Sequence, residues 1–125
     1  GVNATVNSFK CSTNNAAVNT LAIVSGAALN VTSNSALSGL NSSVNGAFIV
    51  GSSNLSAPIT TSLTITGAGA LNVSGGSNNS SFLVGIGNSN TSANNMIPTL
   101  DMSGLANFSF TTGTGAAPGN EFAVV

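Results

Sequence analysis

Apolar residues recur at every second position through most of this chain. Val2, Ala4 and Val6, then Leu21 and Ile23, Leu29 and Val31, Leu63 and Ile65, Leu71 and Val73, Val84 and Ile86, Leu100 and Met102, Phe108 and Phe110, and Phe122 and Val124 alternate with small or polar residues. A period of two puts successive side chains on opposite faces of an extended backbone, so these segments predict short β-strands. Turn-forming clusters of Gly, Ser and Asn separate them at 33–35, 51–54, 75–81, 87–95 and 113–120. Residues 15–24 alone have a spacing compatible with a helix, and they hold β-branched residues with no charged pair to support one. The chain reads as all-β.

The strands repeat. Ala28-Leu29-Asn30-Val31-Thr32 returns as Ala70-Leu71-Asn72-Val73-Ser74 and more loosely as Leu105-Ala106-Asn107-Phe108-Ser109. Phe48-Ile49-Val50-Gly51 returns as Phe82-Leu83-Val84-Gly85, and its opening again as Phe122-Ala123-Val124. Leu63-Thr64-Ile65-Thr66-Gly67 is similar to Leu100-Asp101-Met102-Ser103-Gly104. The blocks keep their order at spacings of about 34 to 42 residues, in the range of repeat architectures. The repeats favour a β-solenoid (parallel β-helix), in which coils stack and equivalent side chains form ladders; Asn30, Asn72 and Asn107 are the expected ladder. Uneven strand spacing leaves a β-sandwich or jelly roll with strand exchange between subunits as the alternative. Either way, residues 1–125 form one β domain or a section of a repeat array, with residues 1–15 as a candidate exchanging segment built on Val2, Ala4 and Val6.

Composition then narrows the chemistry. The chain has three charged side chains, Lys10, Asp101 and Glu121, and no His, Tyr or Trp. Acid–base and nucleophilic catalysis draws on the residue types that are missing here, so an enzyme is not expected. A glycosidase pair of Asp101 and Glu121 would lack the aromatic platforms expected of a sugar cleft. No cofactor or metal is expected either: Gly67-Ala-Gly69 and Gly85-Ile-Gly87 do not complete a dinucleotide fingerprint, and no cluster of His, Cys or carboxylates is present. One cation cannot neutralise a row of phosphates, which argues against nucleic acid, and no apolar run is long enough to insert in a membrane as a helix. Cys11 is the lone cysteine and reads as a small buried hydrophobe. The opening at Gly1, with neither methionine nor leader, is what a processed secreted chain or a piece of a longer one would show.

Gly69-Ala-Leu-Asn-Val-Ser-Gly-Gly76, Phe82-Leu-Val-Gly85 and Thr99-Leu-Asp-Met-Ser-Gly-Leu-Ala-Asn-Phe-Ser-Phe110 resemble the repeats of secreted bacterial surface proteins with autotransporter-associated β-strand repeats. The likeness covers about residues 63 to 125 and, more faintly, 27 to 62. It implies a right-handed parallel β-helix on an extracellular surface protein, and it brings no catalytic residues with it.

Two covalent modifications are within reach of these residues. Asn-X-Ser/Thr acceptor sequences begin at Asn3, Asn30, Asn41, Asn54, Asn72, Asn78, Asn79, Asn90 and Asn107, and glycan on some of them would hydrate a surface that has almost no charge. Asn41, Asn54, Asn78, Asn79 and Asn90 fall in expected loops. Lys10 with a nearby Asn, and Asp101 or Glu121 to polarise the bond, are the ingredients of a self-formed isopeptide crosslink; the plainer expectation is a solvated lysine and a turn aspartate.

The expected function is therefore structural. With a net charge of −1, little repulsion keeps copies apart and few charges block the strand edges. The expectation is an extracellular or cell-surface subunit whose partner is another copy of itself, polymerising head to tail into a filament, fibre or surface layer. An adhesin or carbohydrate-binding module is the alternative. An ice-binding protein is the more remote one, because Thr64-Ile65-Thr66 has no good second copy in the sequence.

Overall fold

In the computed structural model, which describes residues 1–11, 17–32, 46–51, 59–74, 81–84 and 96–111, the chain forms ten strands and no helix among the described residues. They are β1 (Ala4–Val6), β2 (Phe9–Cys11), β3 (Val18–Ala22), β4 (Ala28–Val31), β5 (Gly46–Val50), β6 (Ile59–Thr66), β7 (Ala70–Ser74), β8 (Ser81–Val84), β9 (Met96–Asp101) and β10 (Asn107–Thr111). The stretch with helical spacing contains β3, as its β-branched residues require.

The strands sort into three sheets with the orders β1-β4-β7-β10, β2-β5-β8 and β3-β6-β9, called the first, second and third sheets below. The chain visits the three sheets in turn, completes three circuits, and enters the first sheet once more. Every ladder between named strands is parallel. The antiparallel contact among the described residues is an isolated bridge between Val24 and Ala68. The described residues are thus all-β with parallel sheets, an arrangement consistent with a β-solenoid. Parallel neighbours need a long connection between them, and here that connection is a whole circuit through the other two sheets.

Register follows the sequence repeats at three places and departs from them at one. Leu29 pairs with Leu71 and Asn30 with Asn72; Phe48 pairs with Phe82; Leu63 pairs with Leu100. In β10, however, Asn107 lies opposite Ala70, and Ser109 takes the place opposite Asn72. The offset already set by Thr64 and Asp101 is carried unchanged around the corner into β10. A two-residue difference leaves every side chain on its expected face, so the alternation alone could not distinguish the two registers. The repeat copy at Phe122–Val124 lies outside the described residues.

The inward faces build one core. Leu29, Val31, Leu71 and Val73 come from the first sheet, Cys11, Phe48, Val50 and Phe82 from the second, and Leu63 and Ile65 from the third, joined by Ile23 and Ala27. Each fully buried Leu, Ile, Val or Phe contributes about 1.5–3 kcal/mol, and this dispersed apolar column is the main stabilising term. Thr61 is the buried polar residue, and no buried side-chain N or O among the described residues lacks a hydrogen-bond partner. Ile49 is buried as well, although it lies on the face opposite Phe48 and Val50.

The corner from the third sheet to the first is tight in every circuit, at residues 23–27, 67–69 and 102–106. Gly67 has φ of 99°, and a Cβ there would lie 2.6 Å from the Ile23 carbonyl oxygen. A Cβ on Gly104 would lie 2.5 Å from the Ile65 carbonyl oxygen. Successive circuits therefore touch backbone to backbone at this corner, closed by hydrogen bonds from Ile23 N to Thr66 O (2.8 Å) and from Ala68 N to Gly104 O (2.8 Å).

Candidate assembly edges and side-chain ladders

Two side-chain columns run across the strands. In the second sheet, Phe9, Phe48 and Phe82 stack with ring centroids 4.8 Å apart at each step and interplanar angles of 17° and 8°. That step equals the spacing of hydrogen-bonded strands, so parallel register alone superposes the rings. Beyond Phe82 the stack ends: Phe108 and Phe110 of β10 tilt across it at 60° and 57°, with centroids at 5.2 and 6.2 Å. Tilted packing of this kind suits the ring quadrupoles.

The second column lies on the outer face of the first sheet, where the register aligns Thr5, Asn30, Asn72 and Ser109. Asn72 Nδ2 donates to Asn30 Oδ1 at 2.9 Å, and Ser109 Oγ donates to Asn72 Oδ1 at 2.8 Å. The asparagine ladder expected from sequence thus exists with Ser109, not Asn107, as its third member. Asn72→Ala removes both bonds and is expected to cost about 1–3 kcal/mol, at about 0.5–1.5 kcal/mol per bond. Asn72→Asp, whose carboxylate cannot donate to Asn30, is expected to lower the urea midpoint further, and the difference between the two variants should shrink as pH falls and the new carboxyl gains a proton.

The sequence-predicted sites fall in different places. Asn30 and Asn72 are these ladder residues, and Asn72 Nδ2, the atom a glycan would take, is already hydrogen-bonded. Asn3 accepts a hydrogen bond from Ala28 N at 3.0 Å and so ties the first circuit to the second; Asn107 is exposed at the start of β10. Asn41, Asn54, Asn78, Asn79 and Asn90 lie outside the described residues. Val2 is 89% exposed, while Ala4 and Val6 pair in β1 with β4 of the same chain.

Lys10 is exposed on β2, in the second sheet and the first circuit; Asp101 is exposed at the end of β9, in the third sheet and the third circuit. The structure does not bring them onto one sheet, and Glu121 lies outside the described residues. Asp101 instead accepts from Ser103 N at 2.9 Å, two residues on, as a turn aspartate does. Hydrogen bonds from the Ser103 side chain, then from its backbone, hold the Asp101 carboxyl below its ordinary value of 3.8. A depressed carboxyl supports the turn at pH values above the unfolded-state pKa and loses that support as pH falls through the folded-state pKa. NMR titration should find Asp101 below the ordinary aspartate range, returning toward it in Ser103→Ala. Among the described residues, no group of three or more His, Cys, Asp or Glu side chains gathers, and no helix is long and apolar enough to cross a membrane.

Burial grades from the middle of the column to its ends. Val31, Phe48, Val50, Ile65 and Leu71 of the middle strands are wholly buried, whereas Val6, Phe9 and Leu21 at one end and Val84, Leu100 and Phe110 at the other are only partly so; Phe82 on β8, which lies against Phe108 and Phe110, and Cys11 on β2 are the end-strand residues that are nonetheless buried. Among the described residues, β1, β2 and β3 form one set of sheet edges and β10, β8 and β9 the opposite set. These edges are what sequence reasoning predicted in kind but did not place. β2 went unrecognised there because Phe9-Lys10-Cys11 is short and has a charge at its centre; its signal is Phe9, an earlier copy of the Phe at 48 and 82. Comparison with protein-family models, curated proteins and solved structures finds no match to this chain.

Proposed function

We propose that this chain is the structural subunit of an extracellular filament, fibre or surface layer, and that its three parallel sheets are the faces of a β-solenoid that continues from one copy to the next. The supporting observation is the grading of burial among the described residues: columns sealed at Val31, Phe48 and Ile65 in the middle strands are only partly covered at Val6, Phe9 and Leu21 and at Val84, Leu100 and Phe110, on strands that form the edges of the described sheets. An edge of this kind is a template for another strand. A head-to-tail contact between unlike ends does not close, and so propagates.

The edges carry few charges. Lys10 sits on an edge strand at one end of the described sheets and Asp101 on an edge strand at the other, on different sheets, so each end carries a single charged side chain among the described residues. With three charged side chains in 125 residues, neighbouring copies have little to repel, and glycan on the connections would keep the sides of the filament hydrated. The resemblance to autotransporter-associated repeats supports an extracellular setting. Sedimentation velocity over a wide concentration range, followed by electron microscopy, tests the reading. The expected result is polymer with a strand repeat of about 4.8 Å along its axis; a monomer that persists at high concentration would reject it.

A further inference from the structure

The outer face of the third sheet takes no part in the core. Its side chains alternate with the buried Thr61, Leu63 and Ile65 of β6, and the registers set them in rows across the three strands. Thr20 lies beside Thr64, with Asp101 beyond it; Val18 lies beside Ser62, with Thr99 beyond it. Ala22 faces Thr66 and Ile97 faces Thr60 to complete the grid. Ser62, Thr64 and Thr66, flanked on both sides, are partly exposed, while Thr20, Thr60 and Thr99 are exposed. Val18 and Ile97 are large hydrophobic residues left 61% and 58% exposed on this same face. The Thr64-Ile65-Thr66 motif, which has no good second copy in the sequence, thus finds Thr20 across the sheet. That neighbour comes from a segment outside the sequence repeats.

The face is regular in two dimensions. Parallel strands place its side chains about 4.8 Å apart across the sheet and about 6.6 Å apart along each strand. Successive circuits turn little on one another: the rings of Phe9, Phe48 and Phe82 in the second sheet stack at 17° and 8°, below the roughly 20–25° between neighbouring strands of an ordinary twisted sheet. Thr, Val and Ile are restricted at χ1, so the hydroxyl and methyl groups of the grid are held in place before anything binds. Asp101, the charged residue among the described positions of this face, lies at its margin and accepts from Ser103.

We infer that this face binds ice. A discrete ligand is gripped by charges or aromatic platforms, and the described face offers one marginal carboxylate and no ring. A grid that repeats in two dimensions is matched instead by a partner that repeats in two dimensions, and the oxygen lattice of ice repeats at distances of the same order. Hydroxyls in the rows through Ser62 and Thr64 hydrogen-bond to lattice water, and the methyl groups between them hold water in an oriented shell. With so little charge on the face, docking carries a low desolvation cost. The inference does not depend on the assembly proposed above, because that assembly uses strand edges and this face lies on the flank of a single copy and of a filament alike.

Growth of single ice crystals in a solution of the full chain provides the test. The expected result is faceted crystals and a gap between melting and growth temperatures that widens with protein concentration. Thr64→Lys, at the centre of the grid, is expected to abolish both, whereas Thr5→Lys, on the outer face of the first sheet, is expected to leave both unchanged. Circular dichroism checks that each variant keeps its strands. Thr20→Lys, at an exposed position of the same row, carries the same expectation should Thr64→Lys fail to fold. Unfaceted growth with no temperature gap for the unaltered chain overturns the inference, and so does an equal loss in Thr5→Lys and Thr64→Lys. If Thr64→Lys changes sedimentation and leaves ice growth untouched, the face pairs with a second copy and the inference fails. A persistent monomer that shapes ice rejects the assembly and leaves the ice-binding face standing.

Discussion

Phe48→Ala is expected to destabilise the protein by about 3–5 kcal/mol, the cost of truncating a fully buried aromatic in a core that cannot collapse around the gap. Phe48 is the middle ring of the column, wholly buried, with Phe9 on one side and Phe82 on the other at 4.8 Å each. Its removal takes away both stacking partners at once, and the parallel ladders of β5 hold the backbone at strand spacing, so the neighbouring rings cannot close the void. Phe9→Ala should cost clearly less, since Phe9 has one stacked partner and is only partly buried. Urea unfolding followed by circular dichroism measures both. Equal losses would mean that the rings act as separate hydrophobes and not as a column. Phe48→Leu, which restores most of the buried area without a ring, should recover part of the loss and leave the stacking share exposed to measurement.

Gly67→Ala is expected to be comparably damaging, at about 2–6 kcal/mol. Two effects add there: a backbone at φ of 99°, which an L side chain adopts only under strain of about 1–3 kcal/mol, and a methyl placed 2.6 Å from the carbonyl oxygen of Ile23 in the preceding circuit, an overpacking cost of about 1–3 kcal/mol. Gly26 separates the two. Its φ is 76°, but the nearest atom to an added Cβ is 3.7 Å away, so Gly26→Ala should show the strain without the clash. A loss at Gly67 no larger than at Gly26 would show that the circuits can part at this corner at no cost, contrary to the backbone contact described above.

Much of this architecture is legible in the order of residues because a strand's facing is a local property. Alternation at Leu29-Asn30-Val31 or Leu63-Thr64-Ile65 fixes which side chains turn inward whatever the partner strand, and near-absence of ionisable groups limits the chemistry whatever the fold. Recurrence of Phe48-Ile49-Val50 as Phe82-Leu83-Val84 even foretells which strands become neighbours. Register is different in kind. Moving β10 by two residues preserves every facing, so nothing local distinguishes Asn107 from Ser109 at the end of the asparagine ladder; the length of the tight corner and the backbone contact at Gly104 select Ser109. The participation of Phe9-Lys10-Cys11 as a strand and the partial burial of Val6, Phe9 and Leu21 likewise depend on contacts between residues tens of positions apart. Such contacts are settled by how successive circuits pack on one another, and the two-residue period carries no information about that packing.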